Sequence, residues 1–439
     1  MLICGRTTAP QTPPYPFLFF SLALSVEYYL EVPSLLRIEV IAETATQTER
    51  NKSTPTTTRP DLMQLFMAFL RLGASAFGGP AMIHYIKHFI VERKRWVDDK
   101  TFRDGIVLSQ SIPGATAMQI AAFVGLKANG TLGALAAFVA FILPGCLLMA
   151  LLSVLYVTTR TIPQVIAVMS GLQVIVVALM AHATFSFGKE FRSSYQSIGM
   201  ALASALLLRR YSSPFAVIAG AAVVGAVLFR GERLAAPARL TERGQRGFRG
   251  AAIVGGLAVA GLLVLWSIRP QLSLLALLMM KINVLAFGGG SSTVPLMFVE
   301  FVNTRGWLTS KMLIDGIALG QITPGPIVIT SVFVGYIRYG LTGAVIATVA
   351  MFTPSFFLLL VTAPYFDRLK SWRYFGGASR GILACFVGLL LFVTLRISVE
   401  IPWSPVRVAL GLLALLALFK NVDVLYVVLI GAVVSVVVL

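Results

Sequence analysis

The chain has 439 residues, of which 57% are hydrophobic and 12% charged, with a mean hydropathy of +0.85. A soluble domain carries about 25% charged residues, so an ordinary globular domain is excluded. The net charge of +18 fits Lys and Arg collected in cytoplasmic loops, and with no soluble basic domain to carry it a nucleic-acid partner is excluded.

Apolar runs recur without alternation, as over residues 162–187. Runs of about 17 or more residues suffice to cross roughly 30 Å of hydrocarbon. A transmembrane β-barrel would alternate apolar and polar positions instead. The expected class is an all-α polytopic protein of the lipid bilayer.

Residues 1–61 form an N-terminal extension unlike the rest. Pro16 to Leu30 is apolar but short, and it contains Glu27. Residues 42–59, rich in Thr, Glu and Arg, are expected to be flexible, and the membrane pattern begins near Met63. The first repeat, 62–229, carries apolar segments near 62–80, 106–126, 131–156, 163–187, 195–208 and 214–229. Residues 230–271 join a basic linker, with Arg at 230, 233, 239, 243, 246 and 249, to an extra apolar segment at 251–267. The second repeat, 272–439, has segments near 272–290, 314–337, 341–363, 378–397, 403–419 and 422–438. The total is about 12–13 membrane segments.

The two series match in detail. Ala76-Phe77-Gly78-Gly79 answers Ala286-Phe287-Gly288-Gly289, and Asp104-Gly105-Ile106 answers Asp315-Gly316-Ile317. Gln110-Ser-Ile-Pro113-Gly114 answers Gln321-Ile-Thr-Pro324-Gly325, and Pro144 answers Pro354. The offset is 210 or 211 throughout, which reads as an internal duplication. Six spans plus the extra one start the second half from the opposite side, giving an inverted repeat. The loop His84 to Arg103 carries six bases and would then lie outside, against the charge rule. Either 62–80 and 106–126 are re-entrant half-helices or the span count is off by one.

The duplicated breaks are where chemistry is expected. A Gly-Gly pair frees backbone N–H groups that a straight helix would use. Seven residues before each pair stands one cation, Arg71 and Lys281, costly at membrane depth. Proline interrupts at Pro80, Pro113-Gly114 and Pro324-Gly325-Pro326, and such breaks survive only where protein or water satisfies the backbone. The candidate anion site is Arg71 and Lys281, with N–H groups at Gly78, Gly79, Gly288 and Gly289. Gln110 and Gln321, one turn before the Pro-Gly breaks, and the hydroxyls of Ser75 and Ser291 are further donors.

Cys4, Cys146 and Cys385 and the three histidines show no metal-ligand spacing, and no phosphate loop is present. Neither a metal nor a cofactor is implied. An intramembrane reductase would need a redox centre, so the chain is read as no enzyme. A scaffold would have no use for costly buried cations.

Phe77-Gly-Gly-Pro80, Arg93-x-x-Trp96, Gln110-x-x-Pro-Gly114 and Gly130-x-x-Gly133, with Phe287-Gly-Gly289, Arg305-x-Trp307, Gln321-x-x-Pro-Gly-Pro326 and Gly340-x-x-Gly343, resemble the motifs of the chromate transporter (CHR) family. The resemblance covers about residues 62–438. It departs from the family pattern at Ala115, at Gly290 and in the N-terminal extension. It implies a two-domain helical protein of the cytoplasmic (inner) membrane. Its substrate would be chromate, moved by secondary transport, with efflux conferring chromate resistance. It also implies sulfate as a related dianion, and an importer or exchanger of sulfate or another oxyanion is the alternative. The coupling ion is open, with the proton one candidate. A homodimer is compatible with the sequence but not demanded by it.

Overall fold

The computed structural model describes residues 60–75, 79–189, 191, 194–210, 214–229, 244–365 and 375–438. The N-terminal extension up to residue 59, the linker 230–243 and Gly78 lie outside the described residues. Every regular element described is helical.

The first repeat comprises α1 (Leu62–Ser75), α2 (Gly79–Lys87), α3 (Asp99–Ser111), α4 (Thr116–Thr159), α5 (Pro163–Lys189), α6 (Tyr195–Arg210) and α7 (Pro214–Leu228). The extra helix is α8 (Gly244–Ile268). The second repeat follows the same order as α9 (Pro270–Val284), α10 (Thr293–Met297), α11 (Ser310–Ile322), α12 (Thr330–Thr362), α13 (Phe375–Glu400), α14 (Pro405–Phe419) and α15 (Val424–Val438). Helices α2 and α10 each run on into a wider π-turn, His88–Arg93 and Phe298–Thr304. Among the described residues five helices are long and apolar enough to cross a membrane: α4, α5, α8, α12 and α13.

The segment 106–126, expected as one span or as a re-entrant half-helix, falls in two helices. Isoleucine 112 to Ala115 is non-helical, since Pro113 cannot continue the ladder and Gly114 takes φ 124°. Gly105 on α3 packs against the ring of Phe123 on α4. These residues lie nine positions either side of Gly114, so the two arms run antiparallel about that tip. Gly316 against Phe333 repeats the arrangement around Pro324-Gly325. Both segments are therefore helical hairpins closed at a Pro-Gly tip. Asp98 fixes the start of α3, its carboxylate accepting from Thr101 N (2.9 Å) and Thr101 Oγ1 (2.7 Å). Partial burial opposes its ionisation, but these bonds prevail and hold the carboxyl below its ordinary range.

A second reversal lies within α4, where Asn129 (φ −134°, ψ 28°) and Gly130 (φ 65°, ψ −153°) leave helical geometry. Tyr339 (φ −139°, ψ 22°) and Gly340 (φ 63°, ψ −152°) do the same in α12. The agreement is the duplication written in dihedral angles. Gly125 meets the backbone of Gly133, and Gly335 that of Gly343. Only a side chain no larger than hydrogen lets the backbones approach this closely. A Cβ on Gly130 or Gly340 would meet nothing within 4 Å, so replacement there adds backbone strain alone. Gly130→Ala and Gly340→Ala should each cost about 1–3 kcal/mol and lower the detergent melting temperature by similar amounts. Unequal losses would show that the two turns are not equivalent.

The halves exchange helices. From the first repeat, α6 and α7 pack on α13 of the second, while α14 and α15 pack on α5 of the first. Gly225 meets Gly381, and Gly388 meets the backbone of Ala201. Small residues at such crossings replace the hydrophobic drive that lipid removes. The core runs through both halves, with Phe69, Phe141, Phe298, Phe301 and Phe333 fully buried.

Candidate functional site

The two hairpin tips and the second Gly-rich break meet near the centre of the exchange. The Gly114 N–H donates to the carbonyl of Ala286 (2.8 Å). A Cβ on Gly114 would overlap Ser355 Oγ of α12, and one on Gly145 of α4 would overlap the Pro324 carbonyl. Each repeat thus grips the other's tip. Beyond Ala286, Gly288 (φ 82°) and Gly289 (φ 96°) turn the chain through left-handed geometry. A Cβ on Gly289 would lie 3.4 Å from Thr116 Oγ1, and one on Gly290 3.0 Å from Val328 Cγ2.

Three helical starts converge there: Thr116 of α4, the short turn Gly290–Ser292 leading into α10, and the short turn Ile327–Ile329 leading into α12. None receives a side-chain cap. Their first N–H groups have no intrahelical acceptor, and the local dipoles point positive charge into one region.

Two buried side chains beside the tip are incompletely satisfied. Gln119 is 0% exposed; its Nε2 donates to the Pro113 carbonyl at 2.7 Å, while its Oε1 has no partner. Asn283, also 0% exposed, accepts from Ser355 Oγ at 2.8 Å, and its Nδ2 has no partner. A buried polar atom without a hydrogen bond is costly and calls for a reason. In the first repeat Gly73 and Gly145 stand where the second has Asn283 and Ser355. The polar pair is therefore private to one half.

The expected site residues fall in different places. Gly288, Gly289 and Ser291 are half-buried at the break, and Pro113, Gly114, Pro324, Gly325 and Pro326 are buried at the tips. Gly79 opens α2 with Pro80 in its first turn, where proline is tolerated rather than breaking the helix. Gly78 is outside the described residues. Gln110 is exposed and Gln321 half-buried. Ser75 Oγ donates to the Arg71 carbonyl within α1 (2.9 Å).

The two cations are not equivalent. Lys281 Nζ lies 3.6 Å from Glu300 Oε2 and 3.3 Å from the Phe215 ring centroid. Glu300 is 4% exposed and also accepts from Arg305 Nε at 3.0 Å. Arg71 is exposed, and Phe89 stands where the second repeat has Glu300. Among the described residues Arg71 has no ion-pair partner and no contact joins it to Lys281. Asn283, Ser355 and Glu300 were missed because each acts through a partner 5 to 72 positions away. Asn283 does stand within the second Gly-rich stretch, where a polar residue in an apolar helix was the available signal.

Comparison with known proteins gives the following. A family model described as chromate transporter matches twice, over residues 63–226 and 273–436. An uncharacterized transporter of Methanocaldococcus jannaschii is 40% identical over 377 residues, covering 85% of this chain and 94% of that protein. The chromate transport protein of Cupriavidus metallidurans is 29% identical over 370 residues, 82% of this chain and 89% of its own length. That of Pseudomonas aeruginosa is 31% identical over 327 residues, 70% and 73% respectively. No solved structure gives a significant match.

Proposed function

The chain belongs to the chromate transporter family, and from that premise we propose that it carries chromate out of the cell by alternating access around the meeting point of the two tips. It is a multi-pass membrane protein, and the relatives whose printed names state an activity are transport proteins. The observation that carries the proposal is the unpartnered Asn283 Nδ2, buried beside uncapped helical starts. An oxyanion needs many N–H donors and little else. Here the donors are backbone groups held by glycine and proline, so they are preorganised and uncharged. Uncharged donors bind a dianion firmly enough to select it and loosely enough to release it. Arg71 supplies the long-range charge in this reading, because Lys281 is already held by Glu300. In this reading Gln110 and Gln321, on the hairpin arms, and Ser291, at the break, are secondary donors.

The test is chromate accumulation and survival of a chromate-sensitive bacterial host. Wild type should lower accumulation and protect; Asn283→Leu should lose about tenfold in apparent chromate affinity, the size of one charged hydrogen bond. Arg71→Ala should lose a similar factor, and more at low salt. Protection by all variants would keep chromate efflux and reject this site. Protection by none, wild type included, with sulfate uptake instead, would reject chromate efflux.

A further inference from the structure

We infer that Asp315 is a proton-binding site that couples proton movement to the hairpin of the second repeat. The inference rests on the transport reading above, for which the proton is already the candidate coupling ion, and assigns the residue that carries it. Asp315 is 1% exposed. It lies on α11, nine residues before the tip at Pro324, about 13 Å along a helix. Its Oδ2 accepts from Tyr156 OH of α4 (2.8 Å) and its Oδ1 from Gln173 Nε2 of α5 (2.7 Å). Both partners belong to the other repeat. The matching acid of the first repeat, Asp104, is exposed, so at this repeat position the carboxyl is buried in one half only.

No described cation pairs with Asp315. On its own helix Lys311 lies one turn earlier, and Arg160 lies one turn beyond Tyr156 on α4. The π-turn after α10 offers Glu300 and Arg305, bonded to each other. On α12, Arg338 lies over the rings of Trp307 and Tyr339, and Tyr336 is a phenol; α15 offers the exposed Tyr426. On α5, His182 packs against Phe419 and Lys189 is at the far end. An ionised carboxylate here takes its hydrogen bonds from two neutral donors, with the Lys311 charge one turn away on the same helix and no ion pair.

Both donors can reverse. A tyrosine hydroxyl and a glutamine amide each offer a donor and an acceptor, so the same three residues can hold the acid protonated or ionised. A site that tolerates both states is what a proton carrier requires. The link to substrate is mechanical. Tyr156 packs edge-on to Phe333, with centroids 5.2 Å apart, and Phe333 packs on Gly316 beside Asp315. A proton taken up or lost at Asp315 therefore alters the grip between α4, α5 and both arms of the hairpin. The proton enters the carboxyl from one side of the membrane and leaves to the other, with no bond other than O–H made or broken.

The experiment uses the full chain in proteoliposomes loaded with chromate. Two fluxes are read: net chromate flux driven by an imposed pH gradient, and chromate–chromate exchange with no gradient. Asp315→Asn should lower the first about tenfold or more and leave the second within about twofold. Asp315→Glu should keep both, and Tyr156→Phe, which removes one donor to the carboxylate, should move the pH profile of flux towards alkaline values. Wild-type flux that ignores the pH gradient, or Asp315→Asn that still follows it, overturns the inference. So does loss of exchange as well in a variant that remains monodisperse, which would assign Asp315 to structure. Wild type with neither flux would overturn the transport reading itself, a separate outcome.

Discussion

Replacing Gly114 with valine should abolish chromate transport while leaving the protein in the membrane. Gly114 sits at φ 124°, a region where a β-branched residue costs about 1–3 kcal/mol. The new Cβ would overlap Ser355 Oγ and lie 2.8 Å from Gln119 Nε2. Overpacking a tight site adds about 1–3 kcal/mol. Relief requires the tip to withdraw, which breaks the Gly114–Ala286 hydrogen bond and the Asn283–Ser355 pair together. At about 1.4 kcal/mol per factor of ten, the loss is on the order of a hundredfold or more. The comparison is Gly220→Ala, in α7, where a Cβ meets nothing within 4 Å; it should transport like wild type. A Gly114→Val chain that transports chromate normally would show that the tip contact plays no part in transport.

Glu300→Ala should produce the largest loss of stability. The carboxylate is shared between Lys281 and Arg305, and through Lys281 it reaches Phe215 of α7. Removing it leaves two cations facing each other with no acid between them. Breaking a buried pair costs about 3–5 kcal/mol. Lys281 is 44% exposed and Arg305 32%, so partial hydration brings the loss to about 3 kcal/mol, the lower end. Thermal unfolding in detergent measures it. Adding Lys281→Met should recover part of the loss, since one cation fewer is left unpaired. An unchanged melting temperature in Glu300→Ala would mean that the cluster contributes no net stability.

Much of this fold is legible in the chain itself. The offset of 210 reappears as matched dihedrals at Gly130 and Gly340, because a duplicated glycine imposes the same backbone at both places. The Pro-Gly tips were readable for the same reason, since proline and glycine act locally. The hairpins were harder. The segment 106–126 is apolar enough for one span; the Pro113-Gly114 break marked a re-entrant alternative, and the packing of Gly105 on Phe123 decides for two antiparallel arms. Lys281 shows the limit most clearly. Its position opposite Arg71 in the duplication suggested a shared role, yet Glu300 in one repeat and Phe89 in the other give the cations different surroundings. Asp315 served in the sequence only to set the register with Asp104. Its burial depends on Tyr156 and Gln173, 159 and 142 positions away, a separation that no local pattern encodes.

The exchange of helix pairs has a consequence for how the protein is made. When the ribosome has completed the first repeat, the face of α5 that later receives α14 and α15 is still bare. It stays so until the residues from Pro405 onward emerge. Ile175 then meets Gly431, and the two halves close over each other. A nascent chain halted after α13 would therefore present α5 to the membrane without α14 and α15 against it. Such a topology ties the closure of the first half to helices made after α13, so neither half finishes its packing alone.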